Sequence, residues 1–600
     1  MASTNHNHDL FGAPDHVRHN FHCRVGNPPQ KSVPPEQPVA VHGFPVPGEQ
    51  SPKAATVMND DFFLSDAKWA NLKNLDMCDY VVIGSGCTAL AFIEEALRLD
   101  PCKKILCLER GDFWLPSHFQ NLPLPFKMVL GGESETFPFT LSAETYNNPE
   151  LGYCHGSCPF FGGRSTFWSA WCPQPTPPLM RDFPPGMIAT TEEPGFWEQA
   201  KGLLNVTSAA DIEDTVFGDL QKMIDQKLDQ SEISQLVPTA DFSQPAQMAV
   251  GRSNPTSTLR FNKFSTPGPL LARNNTQREL AKEGKGAQLL IRLNATVAKL
   301  KDCSDGYVRG IQTNDRILEW NNKKTKVVLC AGAFPNATLL LNSIPSARRT
   351  VGKRVTGHFL THIAARVPIS VFGKWNQKPD LEIAAHYVAG THPETGRQYH
   401  VQITAIHSTN PDEQADDAAR ECPDYAAAAT RDQLVGSEEY VVFVCATLGE
   451  FTEENPNNFL RLNHNNPDPT TNVLLQYTLV DADKKLWDVM DQATYKTIEA
   501  MSGDPGALEY WDENLHGWTK KHPAVENIRV PGIVHEASTS FVGDQAHGGS
   551  LDGLYRPHGV KNLFVTGAGI LPTAGSWNPT MTICGYAQDL ARRLHRGEGN

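Results

Sequence analysis

The chain has 600 residues, 40 % hydrophobic and 20 % charged, with a formal net charge of -14. That length demands more than one structural unit around a large core. The negative balance excludes nucleic acid as a partner, and no apolar run approaches the roughly 20 residues that span a bilayer.

Residues 1–60 are rich in Pro, His and Asn without periodicity and read as a disordered or loosely docked arm. His6, His8, His16, His19 and His22 lie in it without an acidic or thiolate set, which favours a solvated tail over a metal site. The N-terminus lacks a secretory apolar region, so the 13 cysteines are expected to be reduced and the location intracellular. Four N-x-S/T matches, at Asn205, Asn274, Asn294 and Asn336, carry no meaning in such a compartment.

A short helix is expected from Asp66 to Leu75, then a buried strand at Asp79-Tyr-Val-Val-Ile83. The turn Gly84-Ser-Gly86-Cys-Thr-Ala89 leads into a helix to Leu99 and a second strand, Lys104–Glu109. This is G-x-G-x-x-A between a strand and a helix. The first Gly permits the turn, the second lets a pyrophosphate approach, and the small third residue lets helix and strand pack. The helix N-terminus, with Ser85 and Thr88, offers N–H groups to phosphate. Glu109, 25 residues after Gly84, is placed to accept ribose hydroxyls and favours FAD or NAD over NADP. Arg110 follows it.

Further along, Ala295–Leu300 reads as a strand, as does Lys326–Cys330, which enters a Gly turn and a helix pattern over Asn336–Leu341. Alternating segments at 363–371, 381–387, 399–406, 439–446 and 459–462 predict an antiparallel sheet, with a helix at 492–501. A last strand, Asn562–Val565, enters a turn at Gly567-Ala568 and a terminal helix from Pro579 to Leu594.

The fold expected is α/β. A Rossmann-like FAD-binding domain is built from discontinuous segments, with an inserted α+β substrate domain containing the antiparallel sheet. The boundaries read as arm 1–60, FAD part 61–200, helical insertion or lid 201–260, FAD part 261–357, substrate domain 358–525 and C-terminal FAD part 526–600. No internal repeat is apparent.

The segment Asp79-Tyr-Val-Val-Ile-Gly-Ser-Gly86 and the segment Asn578-Pro-Thr-Met-Thr582 together resemble the glucose–methanol–choline oxidoreductase family. Val327–Leu341, Val351–His358, His535-Glu-Ala-Ser-Thr539 with Gly543, and Arg556–Leu563 resemble further segments of it. Val351–His358 departs most, with Gly357 at an acidic position. Gly162-Gly-Arg-Ser-Thr-Phe-Trp-Ser169 resembles the pyranose oxidase branch, whose histidine carries flavin covalently; here that position is Phe167, which implies non-covalent FAD. By the same resemblance Gly162 and Gly163 admit the isoalloxazine, Ser165 and Thr166 hydrogen-bond it, and Ser169 lies near flavin N5. Val297 contacts the adenine side.

The resemblance implies oxidation of an alcohol or sugar hydroxyl. His535 serves as base, Asn578 donates to the substrate oxygen, and hydride passes to flavin N5. Pro579 and Thr580 open a helix whose N-terminus favours negative charge on the flavin. The 43 residues from His535 to Asn578 match the family spacing. O2 or a quinone-like acceptor would reoxidise the flavin. A flavin-containing lyase, a flavin-binding protein with little catalysis and an NAD-dependent dehydrogenase are the competing readings. His558 reads as structural, Cys154-His-Gly-Ser-Cys158 as thiols rather than metal ligands, and Trp577 as either pocket wall or packing. The substrate is left open between a carbohydrate and another alcohol.

Overall fold

The computed structural model describes residues 58, 62–122, 151, 153–154, 157–212, 216–251, 262–301, 305–373, 375, 380–424 and 427–599. The chain divides into two compact units, 1–66 and 67–600. Apart from Met58, the proposed N-terminal arm, residues 1–60, lies with its histidines outside the described residues. A short helix runs from Asp66 to Asn71.

In the second unit the buried β-branched runs become a five-stranded parallel sheet. Its order is Leu563–Val565, Lys326–Leu329, Tyr80–Ile83, Ile105–Leu108 and Leu289–Arg292. Tyr80–Ile83 is central and buried throughout, as a strand covered on both faces must be. The helix Cys87–Leu99 follows it and packs on the terminal helix Thr580–His595, so both ends of this unit meet at one sheet.

The antiparallel sheet has nine strands. Thr356–Pro368, Tyr440–Glu450, Gln398–His407 and Glu382–Thr391 form its middle in that order. One face packs on the helix Asp481–Ser502, where Phe359 meets Trp487 and Thr447 meets Thr494. The opposite face carries His358, Leu360 and His362 beside Leu448 and Ala446, and beside them His400 and Gln402.

This sheet reaches beyond residues 358–525. Its far edge is Ala240–Pro245, a segment the sequence pattern assigned to a helical insertion, although short helices do precede it at Asp219–Lys227 and Ile233–Leu236. Arg529–Ala537, the strand that bears His535, pairs with Thr356–Pro368 and in turn with Tyr153–Cys154. Phe459–Leu462 lies instead in a separate two-stranded sheet with Val473–Gln476. Among the described residues no helix is long and apolar enough to cross a membrane, and the ten cysteines whose side chains are described are free.

Candidate active site

A cavity of about 670 Å³ runs from the Gly84 turn to the face of the antiparallel sheet. Gly84, Ser85, Gly86, Thr88, Glu109, Arg110, Gly163, Ser165 and Val297 line it. So do Gly567, Ala568, Pro579, Thr580, His535 and Asn578. Thr166 does not; it is fully buried and its hydroxyl donates to Gly163 O at 2.9 Å.

The turn residues show why glycine is required. Gly84 has φ +106°, and a Cβ there would stand 2.5 Å from the Cys330 carbonyl oxygen. Gly567 has φ +89° but nothing within 4 Å of an added Cβ, so its backbone opens on the cavity. The N-termini of two long helices, Cys87–Leu99 and Thr580–His595, border the same space and give it N–H groups and partial positive charge.

Ser85 ties this end together. Its hydroxyl donates to Glu109 Oε2 at 2.6 Å and accepts from Gly162 N at 2.9 Å. Glu109 Oε1 also accepts from Gly111 N at 3.0 Å. Burial pushes the Glu109 carboxyl up to about 7, with the Ser85 and Gly111 hydrogen bonds opposing. The Ser165 hydroxyl is likewise engaged, donating to Gly162 O at 2.6 Å and meeting Thr266 Oγ1 at 3.0 Å.

Phe167 is buried and stacked on Phe119 at 4.9 Å, with Phe160 edge-on at 6.1 Å. Its ring is held in a small aromatic cluster with Leu115 and Cys158. Trp168 lines the cavity and donates to Phe264 O at 2.7 Å. Trp577 does not line it; it is fully buried against Phe183, which resolves that residue as packing. His558 meets Gly543 O at 3.1 Å within its turn.

At the other end His535 sits at φ +57° where the ladder to Thr356–Pro368 slips register on both sides of His358. The bulge breaks the alternation of side chains and re-aims the strand locally. His535 Nε2 lies 3.5 Å from Asn578 Nδ2, and Asn578 Nδ2 lies 3.5 Å from Ser169 Oγ. Gln402 Nε2 donates to Asn578 Oδ1. That fixes the amide so that its donor side faces His535.

His358, which had no assigned role from sequence, completes the arrangement. Its Nδ1 is 2.9 Å from His535 Nδ1, and its Nε2 faces Gly575 O at 2.9 Å and Ala574 O at 3.3 Å. Carbonyls only accept, so His358 Nε2 carries a proton. Burial pulls the His358 pKa down to about 4, and the ring is neutral near pH 7. Its Nδ1 is then an acceptor, and His535 Nδ1 must be the donor. A neutral His535 is thereby left with its lone pair on Nε2, beside Asn578. Next to it Glu536 forms a two-point ion pair with Arg164 at 2.9 and 3.1 Å. Gln402 and His358 escaped the sequence reading because their roles depend on partners 176 and 177 residues away.

Residues 454–587, a span holding both His535 and Asn578, match the family model described as GMC oxidoreductase. A search of curated proteins by sequence finds no match. Among solved structures, pyridoxine 4-oxidase from Mesorbium loti is similar with a TM-score of 0.53 at 13 % identity, over 86 % of this chain and 99 % of that one. A formate oxidase from Aspergillus oryzae RIB40, from work on its FAD modification, gives 0.58 at 12 % identity, over 87 % and 99 %. The chain therefore has the fold of these oxidases and carries a GMC oxidoreductase domain over residues 454–587.

Proposed function

We propose that the protein oxidises a hydroxyl group to a carbonyl with non-covalent FAD as cofactor. The observation that carries this is the single cavity joining a Gly-rich dinucleotide turn to the His535–Asn578 pair. The residues present fit the group. The Gly84 turn and the two helix N-termini offer N–H groups to a pyrophosphate, Arg110 adds a cation, and the open backbone at Gly567 leaves room beside them. When bound, FAD supplies a two-electron acceptor.

The chain's own part is proton handling. His535 Nε2 takes the hydroxyl proton, and the proton on Nδ1 stays against His358. Asn578 Nδ2 donates to the substrate oxygen as charge grows there. Phe167 offers no nucleophile at the position that resembles a covalent attachment site, so acid precipitation should release all the flavin into the supernatant.

General-base removal costs about 10²–10⁴ in rate. His535→Ala should slow anaerobic flavin reduction by alcohol on that scale with flavin content retained. Wild-type rates in that variant would overturn the assignment. A flavin-free purified protein, or one never bleached by any alcohol, would overturn the proposal as a whole.

A further inference from the structure

We propose that the substrate is a neutral, largely apolar alcohol whose second hydrogen-bonding group is received by His362. This rests on the reading of His535 and Asn578 as the reacting end. Beyond that pair the cavity is walled by Leu360, Leu448, Ala446, Val530, Ala428 and Ala429.

The sheet register sets the geometry. His362 pairs with Ala446, and Ala446 pairs with Gln402, so these three stand in one row across three adjacent strands. All point to the cavity, which each of them lines. Strands lie about 4.8 Å apart, so the Cα atoms at the two ends of the row are about 10 Å apart. Only a methyl group stands between them. One end of the row, Gln402, holds the Asn578 amide and so marks the reacting hydroxyl. The other end is an imidazole that makes no hydrogen bond among the described residues and is half-buried at the cavity wall. Burial lowers its pKa, so the neutral ring both donates and accepts.

Charge narrows the class. Among the described residues the cavity's cationic side chains are Arg110, at the Gly-rich end, and Arg164, which is paired with Glu536. The substrate end adds Asp424 and the exposed Glu513, both acidic. Among the described residues a carboxylate or phosphate substrate finds no cation at that end but Arg164, which Glu536 already holds. A sugar carries a hydroxyl on nearly every carbon, and each one buried without a partner costs about 1–3 kcal/mol. On that wall Thr430 Oγ1 and Gln433 Oε1 each accept from the other residue's backbone N–H in a capping box.

The test is anaerobic stopped-flow reduction of the holoenzyme flavin by 4-hydroxybenzyl alcohol, benzyl alcohol and D-glucose. The expected order is 4-hydroxybenzyl alcohol first, with a half-saturation about tenfold below that of benzyl alcohol, and glucose last. His362→Leu should raise half-saturation for 4-hydroxybenzyl alcohol about tenfold and erase its advantage over the parent, with the limiting rate little changed. His362→Asn, which keeps a donor and an acceptor, should restore part of it. Glucose outperforming the aryl alcohols, or an unaltered preference in His362→Leu, overturns this inference and leaves hydroxyl oxidation standing. Reduction by none of the three overturns this inference, while hydroxyl oxidation falls only if no alcohol bleaches the flavin.

Discussion

In the proposed reaction, the role of His535 turns on which ring nitrogen holds the proton. Two backbone carbonyls, Ala574 O and Gly575 O, decide it at one remove, because they claim the proton of His358 Nε2 and leave its Nδ1 to accept. His358→Leu removes that acceptor and frees the wrong tautomer of His535. Alcohol-driven flavin reduction should fall by about 10²-fold, the lower end of base removal, with flavin content intact. His358→Gln presents an oxygen to the same N–H and should recover part of the rate. Equal rates in the Leu and Gln variants would show that His358 only fills space. The sequence placed His535 and Asn578 through their motifs, but not this relay, because the carbonyls of 574 and 575 carry no side-chain signature.

At the scale of elements, the strand–turn–helix at Gly84 and the one at Gly567 look alike in sequence and differ in what surrounds them. Gly84→Ala would drive a Cβ into the Cys330 carbonyl, so it should lower Tm markedly, by several kcal/mol of stability, and abolish flavin retention. Gly567→Ala meets no protein atom and should cost about 1–2 kcal/mol for its positive φ. It should fold, yet hold flavin less tightly, because the methyl enters the cavity. Thermal melts and the flavin-to-protein absorbance ratio separate the two. Local patterns made these units legible, and with them the long strands of the antiparallel sheet. The same patterns misplaced Ala240–Pro245, whose burial does not alternate cleanly and whose strand identity comes from pairing with residues 386–390. Thr166, expected at the flavin, and Trp577, left open between wall and packing, share a related reason: side-chain direction in irregular segments is set by packing.

For the whole molecule, burial of titratable groups on the cavity face of the large sheet gives stability a pH dependence. His400 is buried with neither ring nitrogen bonded, and burial pulls its pKa down to about 3 from 6.5. A histidine depressed in this way binds fewer protons folded than unfolded. Its contribution is therefore present above pH 6.5 and lost as pH falls from there toward 3. Between pH 6.5 and 5 the loss is roughly 2 kcal/mol at about 1.4 kcal/mol per unit. His400→Leu should narrow the gap between urea midpoints at pH 7 and pH 5, and an unchanged gap would assign the acid sensitivity elsewhere. Glu450 acts in the opposite sense. Burial raises it to about 7, so its contribution holds below pH 4.5 and is lost as pH rises through 7. Glu450→Gln should raise the midpoint at pH 8 and leave pH 5 nearly unchanged.

The meeting of Cys87–Leu99 with Thr580–His595 has a consequence for biosynthesis. The Gly84 turn leaves the ribosome some five hundred residues before the helix that borders the other side of its cavity. The edge strand Leu563–Val565 of the same sheet is equally late. A nascent chain therefore carries half a cavity for most of its translation, and the proposed nucleotide loading belongs to the finished polypeptide.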